Sequence, residues 1–200
     1  AGLTVWCNNC GASGEMQVFN GGTWTNMIGG AVSTPTSLSI GDTYQGGKVA
    51  YILQFGDPGY DANTQHGIIA ATSDQGSRIM WYNGIYSDTR ATASGIGEGF
   101  TNTNLIISSQ GATLTDYAAG VAKTYNGGGY NDWYLPSIEE LIKLYQNRVA
   151  IGGFLGTDTN YWSSTEIDNL NAVTYDFWAS GSIGSYGKFA RCLVRPIRSF

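Results

Sequence analysis

At 200 residues with 42% hydrophobic side chains, the chain has room for one domain, or at most two, with a sizeable core. A net charge of −5, with only ten Lys and Arg spread along the length, excludes nucleic-acid binding through phosphate contacts, and no apolar run approaches the roughly 20 residues of a membrane helix. Glycine (29 residues) and tyrosine (13) against 12% charged residues favour a turn-rich, aromatic-packed extracellular β-rich module. The chain opens at Ala1 without methionine or an apolar leader, which suggests a processed or excised piece of a secreted or cell-surface protein.

Residues 1–36 differ from the remainder. Cys7-Asn8-Asn9-Cys10 has the spacing of zinc ligands, but a structural zinc needs four, and the rest of the chain offers only Cys192 and His66. A local Cys7–Cys10 disulfide is the leading reading, with free thiols, metal binding or intermolecular pairing as alternatives. Met16 to Phe19, the turn Asn20-Gly21-Gly22 and Thr23 to Met27 predict a β-hairpin. Two strands alone are marginal in water, so this hairpin is expected to pack on the main domain or in a homo-oligomer. Gly29-Gly30 and Ser33 to Ser37 form a connector, which places the domain boundary near residue 37.

From Ile40 onward the pattern is strand (Gly47 to Leu53), turn (Gly56-Asp57-Pro58-Gly59) and strand (Gly67 to Thr72). Asp74 to Gly99 reads as a long surface excursion. Helical patterning follows at Asn102 to Gln110 and Thr115 to Tyr125, the second ended by Asn126 and three glycines. Ser137 and Glu140 have capping-box spacing, and behind them Ile138, Leu141, Ile142 and Tyr145 make one apolar stripe on a helix ending near Asn147. Tyr161 to Thr165 and Ala172 to Phe177 are strands, residues 179–182 and 184–187 are turns, and Phe189 to Ile197 is a terminal strand in which Cys192 is a small core residue. These elements predict an α+β fold, a twisted, mainly antiparallel sheet with two or three helices.

The chemistry-bearing residues are sparse. There is one histidine, His66, expected to be structural, and no Gly-x-Ser-x-Gly elbow, dinucleotide fingerprint or phosphate loop. Asp57, Asp61 and Asn63 form the densest oxygen cluster and are the candidate calcium ligands, although turn formation explains the same residues. Glu166 and Asp168 are a weaker pair of the same kind. Two aromatic clusters are candidates for ligand binding: Trp81, Tyr82, Asn83 and Tyr86, and separately Trp178 with Tyr186.

The stretches Gly129 to Leu141, Tyr161 to Glu166 and Arg191 to Arg198, with His66 to Ala71, Asn102 to Asn104 and Asp116 to Ala119, resemble the bacterial C-type-lectin-like family of the C-terminal domain of the collagen-like adhesin Lcl. The resemblance runs from about Ile40 to Phe200. It implies a C-type-lectin-like fold whose core includes Trp133, Tyr134 and Trp162. It also implies a non-catalytic adhesive module that binds glycan or protein partners and assembles as a homo-oligomer, a trimer by analogy. The acidic balance favours a neutral glycan or a protein over a polyanion. A structural tip of a surface fibre is the alternative function, and an enzyme related to the sulfatase-modifying members of the broader fold is a third.

Overall fold

The computed structural model describes residues 4–7, 15–19, 24–26, 37–111, 113–154, 160–178 and 181–200. The chain divides into two compact units, Ala1–Leu38 and Ser39–Phe200.

The first unit contains three antiparallel strands, β1 (Thr4–Cys7), β2 (Glu15–Phe19) and β3 (Trp24–Asn26), in the order β1-β2-β3. The predicted hairpin corresponds to β2 and β3, with Phe19 opposite Trp24; its Asn20-Gly21-Gly22 turn lies outside the described residues. Strand β1 was not expected. It pairs Trp6 with Met16, so β2 has partners along both edges and the sheet is not the bare two-stranded ribbon that would be marginal. Cys7 is disulfide-bonded, which leaves no thiolate there for zinc; the expected second member, Cys10, lies outside the described residues.

The second unit is α+β, with two sheets and four α-helices among the described residues. Strands β4 (Thr43–Tyr44), β5 (Gly47–Ile52), β6 (Gly67–Ala70) and β12 (Ile197–Ser199) form an antiparallel sheet in the order β12-β6-β5-β4. Strands β7 (Gln75–Ile79), β8 (Asn160–Glu166), β9 (Asn171–Asp176), β10 (Ser182–Gly187) and β11 (Cys192–Val194) form the other, in the order β10-β9-β8-β11-β7. Within these two sheets only β11 and β8 run parallel.

The expected single strand from Phe189 to Ile197 is two strands in different sheets. Pro196 has no N–H to donate to a ladder. Beside it, Arg195 is fully buried, its guanidinium held by Asp74 at 2.7 Å and by the carbonyls of Ala71 and Gly153. The chain therefore leaves one sheet at Val194 and enters the other at Ile197.

Residues 184–187, read as a turn, instead extend β10, where Ile183 lies opposite Tyr175 and Tyr186 opposite Ala172. The Gly and Ser residues suit an edge strand because only one side is paired. The supposed surface excursion from Asp74 likewise begins with β7, in the ladder beside β11.

Helices α1 (Gly99–Gln110) and α2 (Ala118–Thr124) pack on each other, α1 also lying on β8 and α2 on β7. Gly120 permits a close approach, since a Cβ there would collide with the backbone of Leu114. Helix α3 (Ile138–Gln146) begins at Ser137 with both halves of the capping box formed, and α4 (Arg148–Ile151) follows across Asn147. Its buried stripe is Ile138, Leu141, Leu144 and Tyr145; Leu144 replaces the expected Ile142, which is half-buried. This stripe meets β5, β8 and β9, where Tyr161, Tyr175 and Phe177 complete an aromatic core. Trp133, Tyr134 and Trp162 are buried, as is Cys192.

Candidate functional site

The best-defined polar structure in the second unit is built on two charged residues with no exposed side-chain surface. Glu166 ends β8, and Lys188 follows β10. Lys188 Nζ bonds Glu166 Oε1, donates to the carbonyl of Ser87 at 2.9 Å and lies 4.7 Å from the centre of the Trp81 ring. Glu166 Oε2 accepts the backbone N–H of Thr89 at 2.9 Å, the Thr89 hydroxyl at 2.9 Å and the N–H of Arg90 at 2.8 Å. Two buried charges are tolerated only because each lone pair and proton finds a partner. The bonds from Thr89 and Arg90 also hold Arg90 at φ 61°, a conformation disfavoured for a residue with a Cβ. Glu166, a weaker candidate calcium ligand, is thus committed to a protein ion pair. Asp168 closes a turn, accepting from Leu170 N and Asn171 N at 2.7 Å each. The Asn171 amide and these backbone donors hold its carboxyl below the ordinary carboxylate range.

The loop of residues 83–90 is fastened from a second side by α1. Gln110 accepts the N–H of Asn83 at 2.8 Å and donates to Ser87 Oγ at 2.7 Å, while the Asn83 amide donates to Gln110 O at 2.6 Å. Asn83, a candidate ligand-binding residue, therefore spends its amide inside the protein. Trp81 and Tyr82 are corrected more strongly. Trp81 is completely buried with its indole N–H on Ser163 O at 2.9 Å, and Tyr82 is buried, so neither offers a ring face to a ligand. Tyr86 is exposed and stacks on Tyr82 with ring centres 4.7 Å apart.

Trp178 and Tyr186 are both exposed but do not form one patch. Tyr186 pairs with Ala172, whereas Trp178 lies beyond the Asp176–Ser182 end of the same hairpin, four residue steps or about 13 Å away. Tyr186 stands two residues before Lys188, and Tyr86 stands next to Ser87, whose carbonyl accepts from Lys188 Nζ. Lys188 N donates to Leu170 O, its Nζ to Ser87 O, and Glu166 is next to Ile167. The exposed large side chains of the chain segments that meet at this hub are Ile85, Tyr86, Ile167, Leu170, Tyr186 and, on the Gly187 side of β10, Phe189. Four of these, Ile85, Ile167, Leu170 and Phe189, carry no periodic signal in the sequence; for the first three the available signal was apolar residues interrupting Asp/Asn/Ser turns at 83–90 and 166–171.

Asp57, Asp61 and Asn63 lie in the loop from Leu53 to His66. Asp57 Oδ2 accepts the Tyr51 hydroxyl and Gln54 N–H, both at 2.7 Å; burial and this bond push the Tyr51 hydroxyl up to about 12. Asp61 Oδ1 accepts Asn63 N–H at 2.7 Å. These are turn-closing bonds. Among the described residues no group of three or more His, Cys, Asp or Glu side chains could hold a metal ion. His66 is structural, its Nδ1 3.1 Å from Phe200 O.

One titratable group is strongly perturbed. Glu140 is fully buried, and burial raises its carboxyl to about 7 against the backbone bonds from Ser137 and Gly97 that oppose the shift. Its neighbours are structural: Ser137 N at 2.8 Å, Gly97 N at 3.0 Å and Tyr134 Oη at 3.4 Å, with Gly99 packed so closely that a Cβ would overlap Oε2. These groups enclose the carboxyl.

The model of the family described as the Lcl C-terminal domain matches residues 70–198. The match takes in the Trp133-Tyr134 turn, the capped α3, β8, β11 and all but the last residue of β12. A comparison with curated proteins finds no match. Among solved structures, the chain is similar to a crystal structure of a fimbrial protein from Bacteroides ovatus ATCC 8483, at 16% identity and a TM-score of 0.45, over 84% of this chain and 46% of that one. The chain therefore spans less than half the length of that fimbrial protein. With the family model covering more than half of its residues, the chain belongs to the Lcl C-terminal domain family.

Proposed function

We propose that the chain is a non-catalytic, extracellular adhesive module of a bacterial surface or secreted protein, built on a C-type-lectin-like fold. Its contact surface for a protein partner is the apolar rim around Lys188. The carrying observation is that Ile85, Tyr86, Ile167, Leu170, Tyr186 and Phe189 remain exposed on backbone that Gln110, Glu166 and Lys188 hold rigid. Large side chains on a preorganised surface bind with little ordering cost. Exposed Asp88, Arg90, Asp168 and Asn169 lie in the same segments and supply a polar border. Membership of the Lcl C-terminal domain family supports an adhesive role. The reactive side chains support a non-catalytic one, since Glu140, Glu166 and His66 are committed to structural bonds. No helix among the described residues is long and apolar enough to cross a membrane.

The first unit serves assembly in this reading, since Val5 and Trp6 of β1 are exposed, and a homo-oligomer, a trimer by analogy, sets the binding surfaces side by side. Immobilised intact chain, screened against surface and matrix proteins at matched salt, tests the proposal. Tyr86→Ala with Phe189→Ser should abolish capture of whatever wild type retains. Unaltered capture by this variant would remove the rim from the binding surface. Light scattering at micromolar concentration checks the assembly, and a clean monomer would overturn it.

A further inference from the structure

We infer that the loop between β5 and β6 carries a second, separate subsite, one that stacks an uncharged sugar ring on Phe55 and Tyr60. Phe55 is 92% exposed and Tyr60 40% exposed, and their rings meet edge to face with centres 6.1 Å apart at 82°. An aromatic side chain so open to water on a floppy loop would collapse onto its neighbours. Here the backbone beneath it is fixed by two consecutive turns that share Asp57. Asp57 N–H donates to Gln54 O at 2.9 Å, Tyr60 N–H donates to Asp57 O at 3.1 Å, and the Asp57 carboxylate ties both to Tyr51. Gly56 and Gly59 adopt φ of 99° and 83°, which only glycine takes without strain, so the two reversals that project Phe55 and Tyr60 are built into the chain.

The chemistry selects the ligand. The electron-rich face of an aromatic ring attracts the polarised C–H groups on the apolar face of a pyranose, and two rings set at a right angle make a corner for one such ring. Exposed Asp61 and Asn63, next along the loop, present carboxylate and carboxamide to sugar hydroxyls. Between Leu53 and Gly67 there is no Lys or Arg, and Asp57 and Asp61 are present; the cation nearby, Lys143, lies 4.8 Å over the Tyr51 ring, so the loop's own charges disfavour a sulfated or carboxylated glycan. The same carboxylates oppose insertion of the loop into an anionic lipid surface. Two aromatic side chains are far too little for a protein interface, which buries about 800 Å² on each partner, but they match a mono- or disaccharide. The subsite rests on the binding-module reading yet shares no residue with the rim around Lys188.

Saturation-transfer NMR on the intact chain with lactose, maltose, cellobiose and N,N′-diacetylchitobiose, and with a heparin oligosaccharide as the charged comparison, tests the inference. Transfer to pyranose ring protons of at least one uncharged sugar is expected. It should vanish in Phe55→Ala and persist in Tyr60→Phe, which keeps the ring. Phe55 is almost wholly exposed, so its replacement leaves the thermal transition unchanged and loss of signal is a loss of binding. No transfer from any uncharged sugar, stronger transfer to the heparin oligosaccharide, or a signal undiminished in Phe55→Ala would each overturn the subsite. A signal that survives Phe55→Ala but is lost in the Tyr86→Ala/Phe189→Ser variant overturns it while supporting the rim, and so separates the two.

Discussion

Glu140 and Ser137 hold each other from both ends: Ser137 N–H donates to Glu140 Oε2 at 2.8 Å, and Glu140 N–H donates to Ser137 Oγ at 3.3 Å, with both residues fully buried. Most capping boxes lie in water. Burial makes this one responsive to pH, because its carboxyl titrates near 7 in the folded protein against 4.5 as the reference. Between those values the folded state keeps a proton that the unfolded state has released. Stability contributed by this residue therefore falls as pH rises from about 4.5 to about 7 and is level outside that window, by on the order of 3 kcal/mol in all. Urea unfolding at successive pH values should show the decline, and Glu140→Gln, though less stable overall, should flatten it. An equally steep decline in the variant would assign the titration elsewhere.

Ser137→Ala should destabilise the second unit by about 2 kcal/mol, at the upper end for an N-cap. The hydroxyl also donates to Gly95 O at 2.8 Å, so its loss takes one of two bonds from that half-buried carbonyl, which keeps the Glu98 N–H, and leaves the buried Glu140 N–H without its acceptor. An unchanged denaturation midpoint would mean that water replaces both bonds.

Lys188→Met should cost about 3 to 5 kcal/mol, since it leaves Glu166 charged and buried beneath the rim. Glu166→Gln should cost a similar amount: its amide oxygen can still accept from Thr89 and Arg90, but its NH2 then faces the Lys188 ammonium, which is left buried without a counter-ion. A loss below about 1 kcal/mol in either variant, by urea denaturation, would show that the remaining charge is not left buried and unpaired.

Trp162→Ala should cost roughly 3 to 5 kcal/mol. Its ring is wholly buried and its indole N–H bonds Ile79 O at 2.9 Å across the sheet. A soluble variant as stable as wild type would contradict that placement.

What could be read in the sequence was local. The Ser137–Glu140 box shows because its partners are three residues apart, and α3 shows because its apolar residues repeat with the helical period. Strands β5, β6, β8 and β9 show because β-branched and aromatic residues crowd between turn signals. What was hidden depends on distant partners. Trp81 stands in a stretch with the composition of a loop and is buried because Ser163 offers a carbonyl to its indole. Glu166 and Lys188 look like solvated surface charges until Ser87, Thr89 and Arg90 close over them. The rim has no periodicity because it is assembled from turns and the end of β10, and β10 has none because glycine and serine are four of its six residues.

The pairing of β12 with β6 has a kinetic consequence. Gly67 and Phe200 exchange backbone bonds at 3.2 and 3.0 Å, and Ile197 lies opposite Ala70, so strands from the two ends of the second unit close one sheet. Loop-closure entropy must be met before such contacts repay it, which slows folding relative to helical proteins of equal stability, into the range of about milliseconds to seconds. During synthesis, β5 and β6 wait beside a vacant edge until Ile197–Ser199 has been made. For that interval Ile68 and Ile69, which β12 helps to cover, are open to wrong partners.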